Sequence, residues 1–113
     1  MNKEEFNIVV ENRISLIREI LSNKDKEYTI GEDRLSNFKE SCGISFHNAP
    51  EKVAWEYMTK HLQSLKDILD ELDEGKVPTK EKVQEKLGDI ICYSILIEAM
   101  LYERIEKEEL MKF

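Results

Sequence analysis

The stretch Ile90-Ile91-Cys92-Tyr93-Ser94-Ile95-Leu96-Ile97 decides the fold. It is apolar nearly all round, and it lies in the middle of a segment that Thr79 can cap and that extends to about residue 111. A helix of that kind must be covered on several sides, so the segment predicts a central helix. At 1.5 Å per residue it is roughly 50 Å long. A compact domain of this size is only about 35 Å across. The helix therefore either kinks or packs its end (Leu101, Ile105, Leu110, Met111, Phe113) against another subunit, and the second outcome is expected.

Working outward, Asn48-Ala49-Pro50 opens the preceding helix, with Asn48 as cap and proline in the first turn. Its stripe Ala54, Met58, His61, Leu65, Ile68, Leu72 alternates steps of four and three. Trp55, Tyr57, Leu62 and Leu69 widen it as packing residues, and Gly75 ends it. Further back, Phe6, Val9, Val10, Ile14, Ile17 and Leu21 predict a first helix over 3–22, stopping at the polar run Ser22-Asn23-Lys24-Asp25-Lys26. An irregular connection hinged on Gly31 leads to a short helix, Asp33 to Ser41, with Leu35 and Phe38 inward. Gly43 is expected as its left-handed cap, with a loop from Gly43 to Asn48. The fold expected is all-α: one four-helix bundle-like domain over residues 1–113 with a long central C-terminal helix.

With 113 residues, 41% hydrophobic and 36% charged, the chain supports one modest core and no second domain. Four glycines and two prolines are too few for an all-β chain. The longest apolar run is far too short to cross a bilayer, and the charged N-terminal residues have no signal-peptide pattern. A cytoplasmic location with no membrane partner is expected. The net charge is −7, from 24 acidic against 17 basic residues, with no basic face to displace counterions from a duplex. Direct nucleic-acid binding is thus disfavoured, whereas a phosphate-bearing small molecule is admissible if a divalent cation stands between it and the acids. Cys42 and Cys92 have no metal-binding or redox spacing.

Asp89 and Glu98 sit in the apolar part of the last helix but point to opposite sides. Asp89 aligns with Glu85 one turn before and Tyr93 one turn after, a half-site for a divalent cation. The competing reading pairs Asp89 with Lys82, Lys86 or a cation of a neighbouring helix. His61 lies on the apolar stripe, where a lone histidine is more often a hydrogen-bonded core residue than a ligand. Lys60, Ser64 and Asp67 line the adjacent face, ordinarily a solvated stripe. Arg34 and Asn37, within one turn of the short helix, can hold a phosphate or carboxylate; the plainer alternative is a helix start capped by Asp33.

Three ordered segments carry a resemblance: Tyr28 to Phe38 with Asp33-Arg34-Leu35, Trp55 to Asp67 with Lys60-His61 and Ser64, and Glu85 to Tyr93 with Asp89. Together they resemble small phage and prophage proteins of the nucleotide-modification-associated domain type, over about residues 27–101. The last segment is also distantly similar to the acidic helix of MazG-like all-α nucleoside triphosphate pyrophosphohydrolases, whose ExxD and ExxE pairs hold magnesium against a triphosphate. Lys86 stands where the first acid of ExxD belongs, Lys60, Ser64 and Asp67 stand where ExxE belongs, and Cys92 replaces an asparagine of the phage pattern.

The resemblance implies a protein acting on or binding a nucleotide. In one form Asp89, Glu85 and Asp67 hold Mg²⁺ while Arg34, Asn37, Lys60, His61 and Tyr93 bind the ligand. In the other, a non-catalytic phage protein sequesters a nucleotide signal or inhibits a host defence protein. A homodimer or higher homo-oligomer is expected from the length of the last helix.

Overall fold

The structure, a computed structural model, describes residues 1–28, 33–45 and 47–111. Four helices make up the fold: α1 (Lys3–Tyr28), α2 (Ser36–Ser45), α3 (Pro50–Leu72) and α4 (Lys80–Met111). Among the described residues there is no strand ladder, and an all-α, bundle-like architecture is what forms. No helix among them is long and apolar enough to cross a membrane.

Local chemistry explains most boundaries. Thr79 Oγ1 accepts from the Lys82 amide at 3.2 Å, capping α4 as its hydroxyl predicts. At the end of α3, Gly75 takes φ 79°, a left-handed conformation open to glycine, and its amide donates to Leu72 O. Three boundaries depart from expectation. Helix α1 runs on to Tyr28, because polarity without proline or glycine does not stop a helix. Helix α2 begins at Ser36 and passes through Gly43 to Ser45, so Gly43 is an interior helical residue. Asp33 lies ahead of it, accepting the Leu35 amide at 3.0 Å. Helix α3 is entered from an extended Ala49 (φ −136°, ψ 125°) with no side-chain cap, not from Asn48, and Pro50 supplies a pre-set first turn. The expected Gly31 hinge lies outside the described residues.

The order of contacts sets the topology. His61 meets Asp89, Met58 meets Ser94, and Glu51 meets Arg104, so α3 and α4 run antiparallel. Arg13 Nη1 donates to Gln84 O at 3.2 Å, and Ile20 approaches Gly88, so α1 runs alongside α4 in the same direction. A Cβ on Gly88 would stand 3.0 Å from Arg13 Nη1 and 3.5 Å from Ile20 Cδ1, so the missing side chain lets α1 come close. Helix α2 lies over α3 and α4. The core sits beneath it: Leu35 and Phe38 from the α2 segment, Val53 and Ala54 from α3, and Met100 from α4. Each large side chain buried there contributes about 1.5–3 kcal/mol.

The expected central role of α4 holds, since α1 packs against it on one flank and α3 on the other. It is one continuous 32-residue helix in a molecule 55 Å along its longest axis. Leu101, Ile105, Leu110 and Met111 are all exposed. The α3 stripe is only half covered. Ala54, Met58 and Ile68 are buried, whereas Trp55, Leu62, Leu69 and Leu72 are exposed, contrary to the packing role expected of Trp55. The reason is geometric: α2 and α4 occupy two sides of α3, and among the described residues no helix packs against the third.

Candidate functional site

The side chains with the most chemistry gather where α2, α3 and α4 meet. Phe38, Tyr57 and Tyr93 form a triangle of rings with centroids 6.3, 6.4 and 6.3 Å apart, tilted or edge-on to one another. Such geometry is favourable for aromatic quadrupoles. Together with Asn37 they line a cleft of 270 Å³. Helix periodicity puts them there: Tyr57 and His61 are one turn apart on α3, as are Asp89 and Tyr93 on α4.

His61 closes one edge of this group. Its ring stacks on Tyr93 with centroids 5.5 Å apart and planes 26° apart. Its Nδ1 lies 3.4 Å from Asp89 Oδ2, at the long end for a hydrogen bond, so the carboxylate orients the ring mainly through charge. The pair is partly exposed, with 25% and 19% of the two side chains open to solvent. Nδ1 toward a carboxylate leaves Nε2 as the atom able to meet a ligand or carry a proton. Lys60 Nζ stands 5.9 Å from the Tyr57 ring centroid, within cation–π range.

Of the eight residues singled out from sequence, Asn37, Lys60, His61, Tyr93 and Asp89 thus come together. Arg34 is engaged nearby, its Nη2 donating to Leu21 O at 2.8 Å and tying the turn before α2 to α1. Glu85 and Asp67 lie elsewhere. Glu85 is exposed, with an oxygen 3.7 Å from Lys86 Nζ. Asp67 accepts from Gln63 Nε2 at 2.9 Å and lines a separate cleft with Ser64, Glu71, Lys82 and Lys86. Among the described residues no three His, Cys, Asp or Glu side chains converge as a metal set, so the residues present do not fit the expected magnesium cage. The group beside Asp89 is His61 of the neighbouring helix, not Lys82 or Lys86.

Tyr57, like Phe38, lines the cleft although sequence reasoning took it as packing. The signal available was its position one turn ahead of His61, which puts both on one face.

A second charged group lies past the core. Lys39 Nζ bridges Asp33 Oδ2 at 2.6 Å and Glu103 Oε1 at 2.9 Å, and Arg104 Nε meets Glu51 Oε1 at 2.6 Å. The hydrogen bond from Lys39 holds the Asp33 carboxyl below its ordinary range, and that from Arg104 does the same to Glu51. These pairs clamp α2 and the start of α3 to α4.

No model of a protein family, no curated protein and no solved structure matches this chain.

Proposed function

We propose that this chain binds a nucleotide, or a nucleotide-like phosphate ester, in the cleft between α2, α3 and α4. The observation carrying this reading is that Tyr57, Tyr93 and Phe38 line one cleft with the Asn37 amide, while Lys60 and the His61–Asp89 pair stand beside it. Stacking of a base on aromatic rings contributes about 1–3 kcal/mol per base. The amide of Asn37 offers both a donor and an acceptor to a base edge. Lys60 and, when protonated, His61 supply positive charge for phosphate in a chain that is acidic overall.

Within this reading the sequestering form is favoured over the hydrolytic one. Asp89 is turned to His61, Glu85 to Lys86 and Asp67 to Gln63, so the three acids are separately engaged. No step is routed through magnesium. A phage-type role, holding a nucleotide signal or blocking a host defence protein, belongs to the same proposal, as do a cytoplasmic location and self-association.

The test is a thermal-shift panel of nucleotides and cyclic nucleotides, with and without Mg²⁺. A ligand at one hundred times its dissociation constant adds about 2.7 kcal/mol. That shift should vanish in Asn37→Ala, and a sequestered ligand should be recovered unchanged after denaturation. Product appearing only with Mg²⁺ would favour the hydrolytic form, and a panel with no shift would remove the nucleotide reading.

A further inference from the structure

On α3, Lys60, Ser64, Asp67 and Glu71 follow one another in steps of four, three and four, so they share one face. That face changes sign along its length. Lys60 Nζ stands 5.9 Å from the Tyr57 ring centroid, beside the aromatic cleft. Asp67 lies nearly two full turns further on, about 10 Å along the axis. Its carboxylate accepts from the neutral amide of Gln63, a bond that leaves its charge in place. Asp67 and Glu71 line the second cleft, of 330 Å³, and Lys82 and Lys86 of α4 line it with them. Two acids and two lysines make that lining neutral. In the other direction, one turn before Lys60, stands Glu56, with His47 Nε2 at 2.7 Å.

At the aromatic cleft the balance differs. His61 and Asp89 face each other at 3.4 Å, so the carboxylate offsets whatever charge the imidazole carries. Lys60 remains as one positive charge in excess. Lys39 and Arg104 are taken up by Asp33, Glu103 and Glu51 past the core, and Arg34 is bonded to α1.

We infer that the cleft takes a nucleotide with a single phosphoryl group, a nucleoside monophosphate or its cyclic ester, and discriminates against di- and triphosphates. The inference rests on the nucleotide reading above and names the class of ligand within it. A phosphate oxygen in contact with Lys60 Nζ, at about 2.8 Å, lies no more than about 9 Å from the Tyr57 centroid, a span that one sugar bridges between a stacked base and its first phosphate. That phosphate brings up to about two negative charges, of which Lys60 offsets one. Each further phosphate adds charge without adding a cation. A tail extended along the face meets Asp67 and then Glu71, and one extended the other way meets Glu56. The second cleft has no excess of positive charge to offer, because its lysines share it with as many carboxylates.

The test is calorimetric titration of the full chain with nucleoside, linear monophosphate, cyclic monophosphate, diphosphate and triphosphate, as a series for each common base. EDTA is present, and the salt is kept at about 0.01 M, where the screening length is about 30 Å. A single-phosphate form should bind most tightly in at least one series, and whether the linear or the cyclic form leads identifies the ester. The triphosphate should be weaker by on the order of tenfold, the effect of one like charge about 10 Å away in partly screened surroundings. Lys60→Gln should lower the affinity of the single-phosphate ligand to that of the nucleoside. Asp67→Asn combined with Glu71→Gln should raise triphosphate affinity several-fold and leave the single-phosphate ligand unchanged. All three positions are exposed, so these variants keep the fold, which circular dichroism checks. A wild type that binds triphosphate most tightly overturns this inference and leaves the nucleotide reading standing. So does a single-phosphate affinity indifferent to Lys60→Gln, or a triphosphate affinity unmoved by the acid substitutions. No binding in any series overturns both.

Discussion

His61 and Asp89 meet across the α3–α4 seam, Nδ1 to Oδ2 at 3.4 Å, while the same imidazole stacks on Tyr93 of the opposing helix. One residue of α3 is therefore held by two residues of α4 one turn apart, at the edge of the aromatic cleft. A carboxylate with a quarter or less of its surface open needs a partner, and here that partner belongs to the candidate site itself.

The first prediction concerns Asp89→Asn. The asparagine carbonyl can still accept from His61, and the pair is partly solvated, so the apo protein should lose no more than about 1 kcal/mol. A buried charge left unpaired would instead cost roughly 3 kcal/mol or more. The nucleotide-induced shift should fall, because the imidazole loses its charge partner. Apo and liganded melting curves of the variant separate the outcomes; a large apo loss with binding intact would make the pair purely structural.

Arg34→Ala should lower the apo melting temperature by several degrees. The guanidinium bonds Leu21 O at 2.8 Å, so its removal frees a link between the turn before α2 and α1. A hydrogen bond to a charged donor contributes about 1.5–3 kcal/mol, less where solvent reaches it, as it does here. An unchanged melting temperature with lost ligand response would return Arg34 to the role expected from sequence.

Gly88→Leu should detach α1 from α4. A Cβ alone meets the movable end of Arg13 at 3.0 Å, a strain that the better helix propensity of alanine offsets. The further carbons of leucine would collide with Ile20, an overpacking that costs about 1–3 kcal/mol. Hydrogen exchange should show α1 amides losing protection ahead of those in α3. Equal loss in both helices would contradict the arrangement.

The Arg104–Glu51 bridge should support stability at neutral pH and fade in acid. The hydrogen bond from Arg104 lowers the folded Glu51 carboxyl below its ordinary value of 4.5. The unfolded chain therefore binds the proton more readily, and the contribution is fully present above about pH 4.5 and is lost as pH falls through the folded value. Arg104→Met should melt below the wild type at pH 7, with the gap closing as the pH falls below 4.5 and through the lowered Glu51 value. A gap independent of pH would assign the effect of Arg104 to packing of its stem.

Four helices, the central place of α4, the Thr79 cap and the Gly75 stop were legible in the sequence, because periodicity and capping are local and each residue type carries its own geometry. The continuation of α1 to Tyr28 and of α2 through Gly43 was not. Polar runs and single glycines shift a helix boundary by small free energies that neighbours outside the segment can outweigh. Asn37, Lys60, His61, Asp89 and Tyr93 could be named from sequence as residue types at helical spacing. That Asn37 and Tyr93 line one cleft with His61, Asp89 and Lys60 beside it, while Asp67 and Glu85 lie elsewhere, was decided by the tertiary packing of α2, α3 and α4. Trp55, Leu62 and Leu69 read as core because their apolarity is intrinsic. Whether an apolar face is covered depends on what packs against it, and the tertiary structure sets α2 and α4 against two sides of α3 and leaves Trp55, Leu62 and Leu69 exposed.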